Sequence, residues 1–207
     1  MYVNHIDMYR NHTLLSVSEY KILELFLDLK KHYFAEISKK TKLTRPRTLR
    51  VLRKLTKIDI LKAEAEANIK YYSLNKTSSV YTVLSSVEYN KTINFLENNR
   101  ILKRAIEMFK DKYDNYLIKL IFGSYVKGYA TKTSDIDLLL IKEEFSKTDI
   151  EKIEDLVEII NGRTRLKINP YLMKLNEFTQ KKDFVKEIID NHIILDGGEL
   201  FFRLVLE

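Results

Sequence analysis

Two carboxylates on one face of a buried strand leave few folds open to a chain. They occur here within residues 122–141, FGSYVKGYATKTSDIDLLLI. Side chains alternate along a strand. In SDIDLLLI, therefore, Ile136, Leu138 and Leu140 form a core-facing side, while Asp135, Asp137 and Leu139 share the other. Neighbouring like charges disfavour each other's ionised form, and a divalent metal is the natural compensating partner. The preceding YLIKLIF reads as a second apolar strand with Gly123-Ser124 at its end. YVKGYATKT then reads as a helix start and a loop, and ten residues, 125–134, separate Ser124 from Asp135. A strand cap beside a glycine turn does not account for two same-face carboxylates at this spacing.

Gly-Ser, ten residues, Asp-x-Asp resembles the pattern of the nucleotidyltransferase superfamily related to DNA polymerase β, and within it the minimal nucleotidyltransferases. The resemblance covers roughly residues 100–190. It implies an α/β domain with a mixed sheet that uses a nucleoside triphosphate with Mg²⁺ or Mn²⁺. Nucleotidyl transfer moves a phosphoryl centre between oxygens, so its work is positioning and charge neutralisation. Carried onto this chain, the resemblance makes Asp135 and Asp137 the catalytic carboxylates and the metal ligands, hard oxygens suited to Mg²⁺. Gly123 lets the backbone approach the triphosphate. Ser124 offers its hydroxyl and backbone N–H to the outer phosphates, and Lys127 stands where related sequences carry Arg, within reach of phosphate.

Active members of that superfamily carry a third carboxylate on a neighbouring strand. The matching stretch is RLKINPYLM, and Asn169 occupies the position. Asparagine offers a metal one neutral oxygen but neither takes a proton nor adds negative charge. Glu177, Glu143 and Glu144 are the carboxylates available to substitute. Two readings follow: an enzyme that tolerates or replaces Asn169, and a catalytically degenerate domain that binds nucleotide as a sensor.

The charge distribution points to a second module. Residues 1–75 hold ten Lys and five Arg against three Asp and five Glu, a net +7, while the remaining 132 residues balance at 21 basic and 21 acidic groups. Excess confined to one third of a chain marks a polyanion-binding segment. SVSEYKILELFLDL starts with the capping-box pair Ser16 and Glu19 and places Tyr20, Leu23 and Leu27 on one helical face. FAEISKKT fits a short second helix. Thr44 is a suitable N-cap for RPRTLRVLRKLTK, with Pro46 in its first turn and Leu49, Leu52 and Leu55 expected inside. KAEAEA and IKYYSL flank Ala67-Asn68 as a hairpin. This order, over about residues 16–75, resembles the winged helix-turn-helix family, although Asp59 stands where such domains often carry glycine. The resemblance implies that the third helix enters the major groove of double-stranded DNA through Arg45, Arg47, Thr48 and Arg50, with Lys70 on the wing touching backbone.

Residues 77–114 contain neither Gly nor Pro and carry two apolar stripes, Val80/Val83/Leu84/Val87 and Ile101/Leu102/Ala105/Ile106/Phe109. They read as two helices broken near ENN. Their apolar faces serve either packing onto the second domain or a homodimer interface. The expected architecture is α+β with two domains. A winged helix-turn-helix occupies 1–76, a helical connector 77–114 and a nucleotidyltransferase-fold domain with a mixed sheet 115–207. No cysteine is present, and no apolar run approaches the roughly 18 residues of a spanning helix. The expected setting is therefore the cytoplasm, away from membranes. The expected role is transcriptional regulation coupled to nucleotide binding or transfer. Minimal nucleotidyltransferases also act as antitoxins beside a small helical toxin, so the resemblance adds such a partner.

Overall fold

The computed structural model describes residues 15–126, 135–180 and 182–207. Packing divides the chain into two compact units, Met1–Val87 and Glu88–Glu207.

The first unit opens with α1 (Val17–Leu25), whose capping box forms in full. Glu19 N–H donates to Ser16 Oγ at 3.4 Å, and Ser16 N–H donates to Glu19 Oε2 at 2.7 Å. After a 3-10 turn come β1 (His32–Tyr33), α2 (Phe34–Thr41), α3 (Arg45–Lys57), β2 (Leu61–Glu66) and β3 (Ile69–Leu74). The strands form an antiparallel sheet in the order β1-β3-β2. Helix, short helix, basic helix and hairpin, closed by a small sheet, make a winged helix-turn-helix arrangement around Ile22, Leu23, Phe26, Ile37, Leu52 and Leu55.

Two local expectations are corrected. The buried face of α3 is Thr48, Val51, Leu52 and Leu55, with Leu49 only half-buried. Steps of four then three follow the 3.6-residue period better than the 49-52-55 run of threes. In the hairpin Glu66 pairs with Ile69, leaving Ala67-Asn68 as the turn, and the left-handed residue is Ala67 at φ 52°. Asn68 does not supply the positive φ. Asp59, where a turn glycine is common, adopts φ 58°.

His32 is buried between two carboxylates. Its Nε2 lies 3.0 Å from Asp28 Oδ1 and its Nδ1 3.1 Å from Glu36 Oε1. The Asp28 hydrogen bond, helped by Glu36, raises the imidazole pKa against the opposing effect of burial. A raised folded-state pKa stabilises fully below the unfolded value, near 6.5. That stability is lost as pH rises through the folded value. Thermal unfolding of the full chain and of His32→Gln should therefore differ in slope, the parent losing more stability than the variant as pH rises from about 6 through neutrality. An identical slope in the variant contradicts the ion pairs.

The second unit begins inside α4 (Ser78–Asn98), which Asn99 separates from α5 (Arg100–Lys110). β4 (Ile118–Phe122), β5 (Ile136–Lys142), α6 (Lys147–Thr164), β6 (Ile168–Lys174), α7 (Leu175–Gln180), α8 (Lys182–Asp190), β7 (His192–Asp196) and α9 (Gly198–Leu206) follow. The sheet order is β6-β5-β4-β7, with β5 and β6 parallel and the other pairs antiparallel. It is a mixed sheet. Ile136, Leu138 and Leu140 face the core shared with Leu102, Ala105, Ile106 and Phe109 of α5 and Ile153, Val157 and Ile160 of α6. Ile101, expected in the α5 stripe, is 59% exposed.

The outer edge of β7 is closed by side chains of α4. Ile194 N–H donates to the buried Glu88 at 3.2 Å, Thr92 Oγ1 donates to Ile194 O at 2.8 Å, and Lys91 Nζ donates to His192 O at 2.6 Å. An edge strand covered in this way offers no free template to another chain. Among the described residues no helix is long and apolar enough to cross a membrane.

Candidate active site

β4 ends where β5 and β6 begin, so one end of the sheet gathers the residues of interest. Phe122 pairs with Asp137, and Asp137 pairs with Asn169, giving a row across three adjacent strands. Because register neighbours share a face, the Asp137 carboxylate and the Asn169 amide stand side by side, with Nδ2 3.5 Å from Asp137 Oδ1. Phe122 meets Tyr171 and Phe184 edge-on and walls the site on its apolar side. Asp135 precedes β5, is exposed, and lies 3.9 Å from Lys167 Nζ.

Gly123 follows β4 at φ 79°, and a Cβ there would overlap Asp137 Oδ2. Glycine is required twice, by the left-handed backbone and by the closeness of the carboxylate. Ser124 is exposed in the turn immediately after it. Gly123→Ala should cost about 1–2 kcal/mol for the backbone alone and push the Asp137 carboxylate from its place. Nucleotide affinity measured with Mg²⁺ should therefore fall by more than the stability loss explains. Parental affinity in the Gly123→Ala variant contradicts that packing. Lys127 lies outside the described residues.

The electrostatics suit a cation. Burial raises the Asp137 pKa, as do the charges of Asp135 and Glu187, while the Asn169 amide works the other way. Glu187, on α8, is the carboxylate that sequence reasoning missed. The strand pairing brings it near because α8 leads into His192, which pairs with Phe122. Glu143 and Glu144 follow β5, and Glu177 follows β6, all at the opposite end of the parallel pair. Seven residues of β5, about 3.3 Å each, separate those ends, and Glu144 there binds Lys174 at 2.6 Å. None of the three can take the place of the missing acid. Among the described residues no group of three or more His, Asp or Glu is arranged around one metal position. Two carboxylates nonetheless fit Mg²⁺, which characteristically completes its shell with water and substrate phosphates.

In the first unit Arg45, Arg47 and Arg50 project from α3 and Lys70 from β3, all exposed. Arg47 Nε donates to Ser18 Oγ at 2.6 Å, and the Arg45 guanidinium lies 5.5 Å from the Phe34 ring centre. Thr48 departs from its expected place on the DNA-facing side. It is fully buried and its hydroxyl donates to Thr44 O at 3.1 Å, so it cannot reach a base.

Residues 103–197 match the family described as polymerase beta, nucleotidyltransferase. Two proteins of Methanocaldococcus jannaschii, each provisionally named a protein adenylyltransferase, are similar to this chain. One is 30% identical over 115 residues, covering 53% of this chain and 78% of that protein. The other is 32% identical over 87 residues, covering 38% and 86%. Among solved structures, the adhesin competence repressor of Streptococcus pyogenes aligns at 14% identity and TM-score 0.38, over 77% of this chain and 90% of the repressor. An archaeal chromatin protein, TrmBL2, aligns at 17% and 0.31, over 89% and 75%. Overlaps that loose carry no functional argument, whereas the sequence matches and the Gly-Ser/Asp-x-Asp end of the mixed sheet agree. The chain belongs to the polymerase beta nucleotidyltransferase family.

Proposed function

We propose that the protein transfers a nucleoside monophosphate, an adenylyl group by the names of its relatives, to a hydroxyl on a protein acceptor, and that its basic first unit binds double-stranded DNA. The row Phe122–Asp137–Asn169, with Gly123 packed against Asp137 and Asp135 just before the strand, is the observation that carries the enzymatic half. The acceptor oxygen bonds to the α-phosphorus, the bond from that phosphorus to the α–β bridging oxygen breaks, and pyrophosphate leaves. The hydroxyl proton passes to water or to a carboxylate of the pair. A Mg²⁺ ion held by Asp135 and Asp137 would neutralise charge on the phosphates and acidify the attacking hydroxyl. Ser124 and the backbone N–H groups of the turn hold the outer phosphates, and the Phe122, Tyr171 and Phe184 rings form an apolar wall on one side of the site.

Asn169 specifically favours a second reading, a nucleotide sensor without turnover that reports to the DNA-binding unit. Transfer assayed in the parent and in Asn169→Asp separates the two. An enzyme that works with Asn169 shows transfer in the parent, and the substitution changes its rate. A sensor shows nucleotide binding without transfer in the parent. A parent that binds no nucleotide with Mg²⁺ contradicts both.

A further inference from the structure

A cleft of about 730 Å³ opens between α5 and α6, on the opposite side of the sheet from Phe184. Arg100, Arg104 and Arg163 line it over Ile101 and Met108. The first two stand one turn apart on α5 and therefore share a face, and Arg163 comes from the last turn of α6. None of the three guanidiniums makes an ion pair or hydrogen bond with another described residue. No acidic side chain lies in the first turn of α5, and Asn99 gives it no side-chain cap. Beyond Met108 the groove continues past Arg163 between Lys112, Lys152, Asp111 and Asp155. The acidic side chains lie in that stretch, and none lines the cleft that holds Arg100 and Arg104.

The arginine end is joined to the carboxylate end of the sheet by a short stretch of chain. The chain leaves Thr164 of the cleft wall and reaches Lys167, whose carbonyl accepts from Ile136 N–H at 2.7 Å and whose ammonium faces Asp135. Uncompensated arginines repel one another, so three brought together are poised for an anion. A carboxylate is satisfied by one guanidinium fork, whereas phosphate presents more oxygens and more charge, enough to engage several.

We infer that the Arg100–Arg104–Arg163 cleft binds phosphate groups, either the polyphosphate of a nucleotide or the phosphodiester backbone of a nucleic acid strand, at a position distinct from the Gly123-Ser124 turn. Binding here requires neither metal nor transfer. The test uses the full chain carrying Arg45→Ala and Arg47→Ala, which weakens binding by the basic helix, in EDTA. Inorganic tripolyphosphate is titrated by calorimetry and a fluorescein-labelled single-stranded oligonucleotide by anisotropy. Arg100→Ala with Arg104→Ala and Arg163→Ala should weaken at least one probe about tenfold or more. The three side chains are exposed, so the fold should survive, which far-UV circular dichroism checks. Loss for tripolyphosphate alone identifies a nucleotide source, and loss for the oligonucleotide identifies a strand. Asp135→Ala with Asp137→Ala should leave both affinities intact or tighter. The inference is overturned if neither probe binds the parent, if the triple variant binds like the parent, or if the Asp variant loses the probes.

Discussion

Replacing Asp135 and Asp137 together by alanine should lower Mg²⁺-dependent nucleotide affinity by at least about 100-fold and leave the fold intact. The magnitude follows from position. Residues that only support a metal ligand cost roughly 10–100-fold when removed, and here both hard oxygen donors of the proposed site disappear. Retention of the fold follows from how little these carboxylates contribute elsewhere. Asp135 is exposed and its Lys167 contact is long, and the Asn169 bond to Asp137 is weak at 3.5 Å. Burial and the charges of Asp135 and Glu187 disfavour the ionised form of Asp137. Removing that repulsion should leave the metal-free variant as stable as the parent or slightly more so, the usual exchange of stability for function at a charged site. Calorimetric titration with a nucleoside triphosphate and Mg²⁺, paired with thermal unfolding, measures both halves. Undiminished affinity in a folded variant removes the metal-site assignment.

The second large effect is expected in the other unit. Arg45→Ala with Arg47→Ala should weaken double-stranded DNA binding by about 1–3 kcal/mol for each good base-edge interaction that disappears. If the two side chains touch phosphate instead, the slope of log affinity against log salt should fall by about one per residue. α3 contains no acidic residue, and Arg45, Arg47 and Arg50 all project outward at or near its N-terminal end. Removing the Arg47 bond to Ser18 should cost little stability, because it is a single side-chain hydrogen bond near the surface. Lys147→Ala on α6, a solvent-exposed lysine of the neutral unit, serves as the charge control. Equal affinity of the double variant and the parent at moderate salt contradicts the recognition-helix proposal.

Much of this architecture is local enough to read in the chain. Ser16 and Glu19 mark the start of α1 because a capping box is a three-residue interaction, and the break before α5 falls at Asn99, the last residue of ENN. The strand carrying Asp137 is legible because alternation turns Ile136, Leu138 and Leu140 to the core and Asp137 to the other face, with Asp135 just before the strand. Long-range facts were not legible. Nothing in DFVKEIID says that Glu187 acts on Asp137, since that depends on β7 pairing with β4. The burial of Thr48 turns on the rotation of α3 about its axis, which a short apolar run does not fix. DGGELFFRLVLE hides α9 behind its glycine pair. Gly197, at φ 75°, is the cap of that helix, where a Cβ would meet Leu117 O. Ser146 and Asp149 form the same kind of cap as Ser16 and Glu19 and start α6, a signal that was available.

The most direct test of the central claim is transfer of label from each α-labelled nucleoside triphosphate with Mg²⁺, using the protein itself and a whole-cell protein extract as acceptors. Label that becomes covalently attached to protein, and is absent with Asp135→Ala/Asp137→Ala, is the result this account predicts. Triphosphate that is neither transferred nor retained by the parent, or transfer that persists undiminished in the double variant, would contradict it.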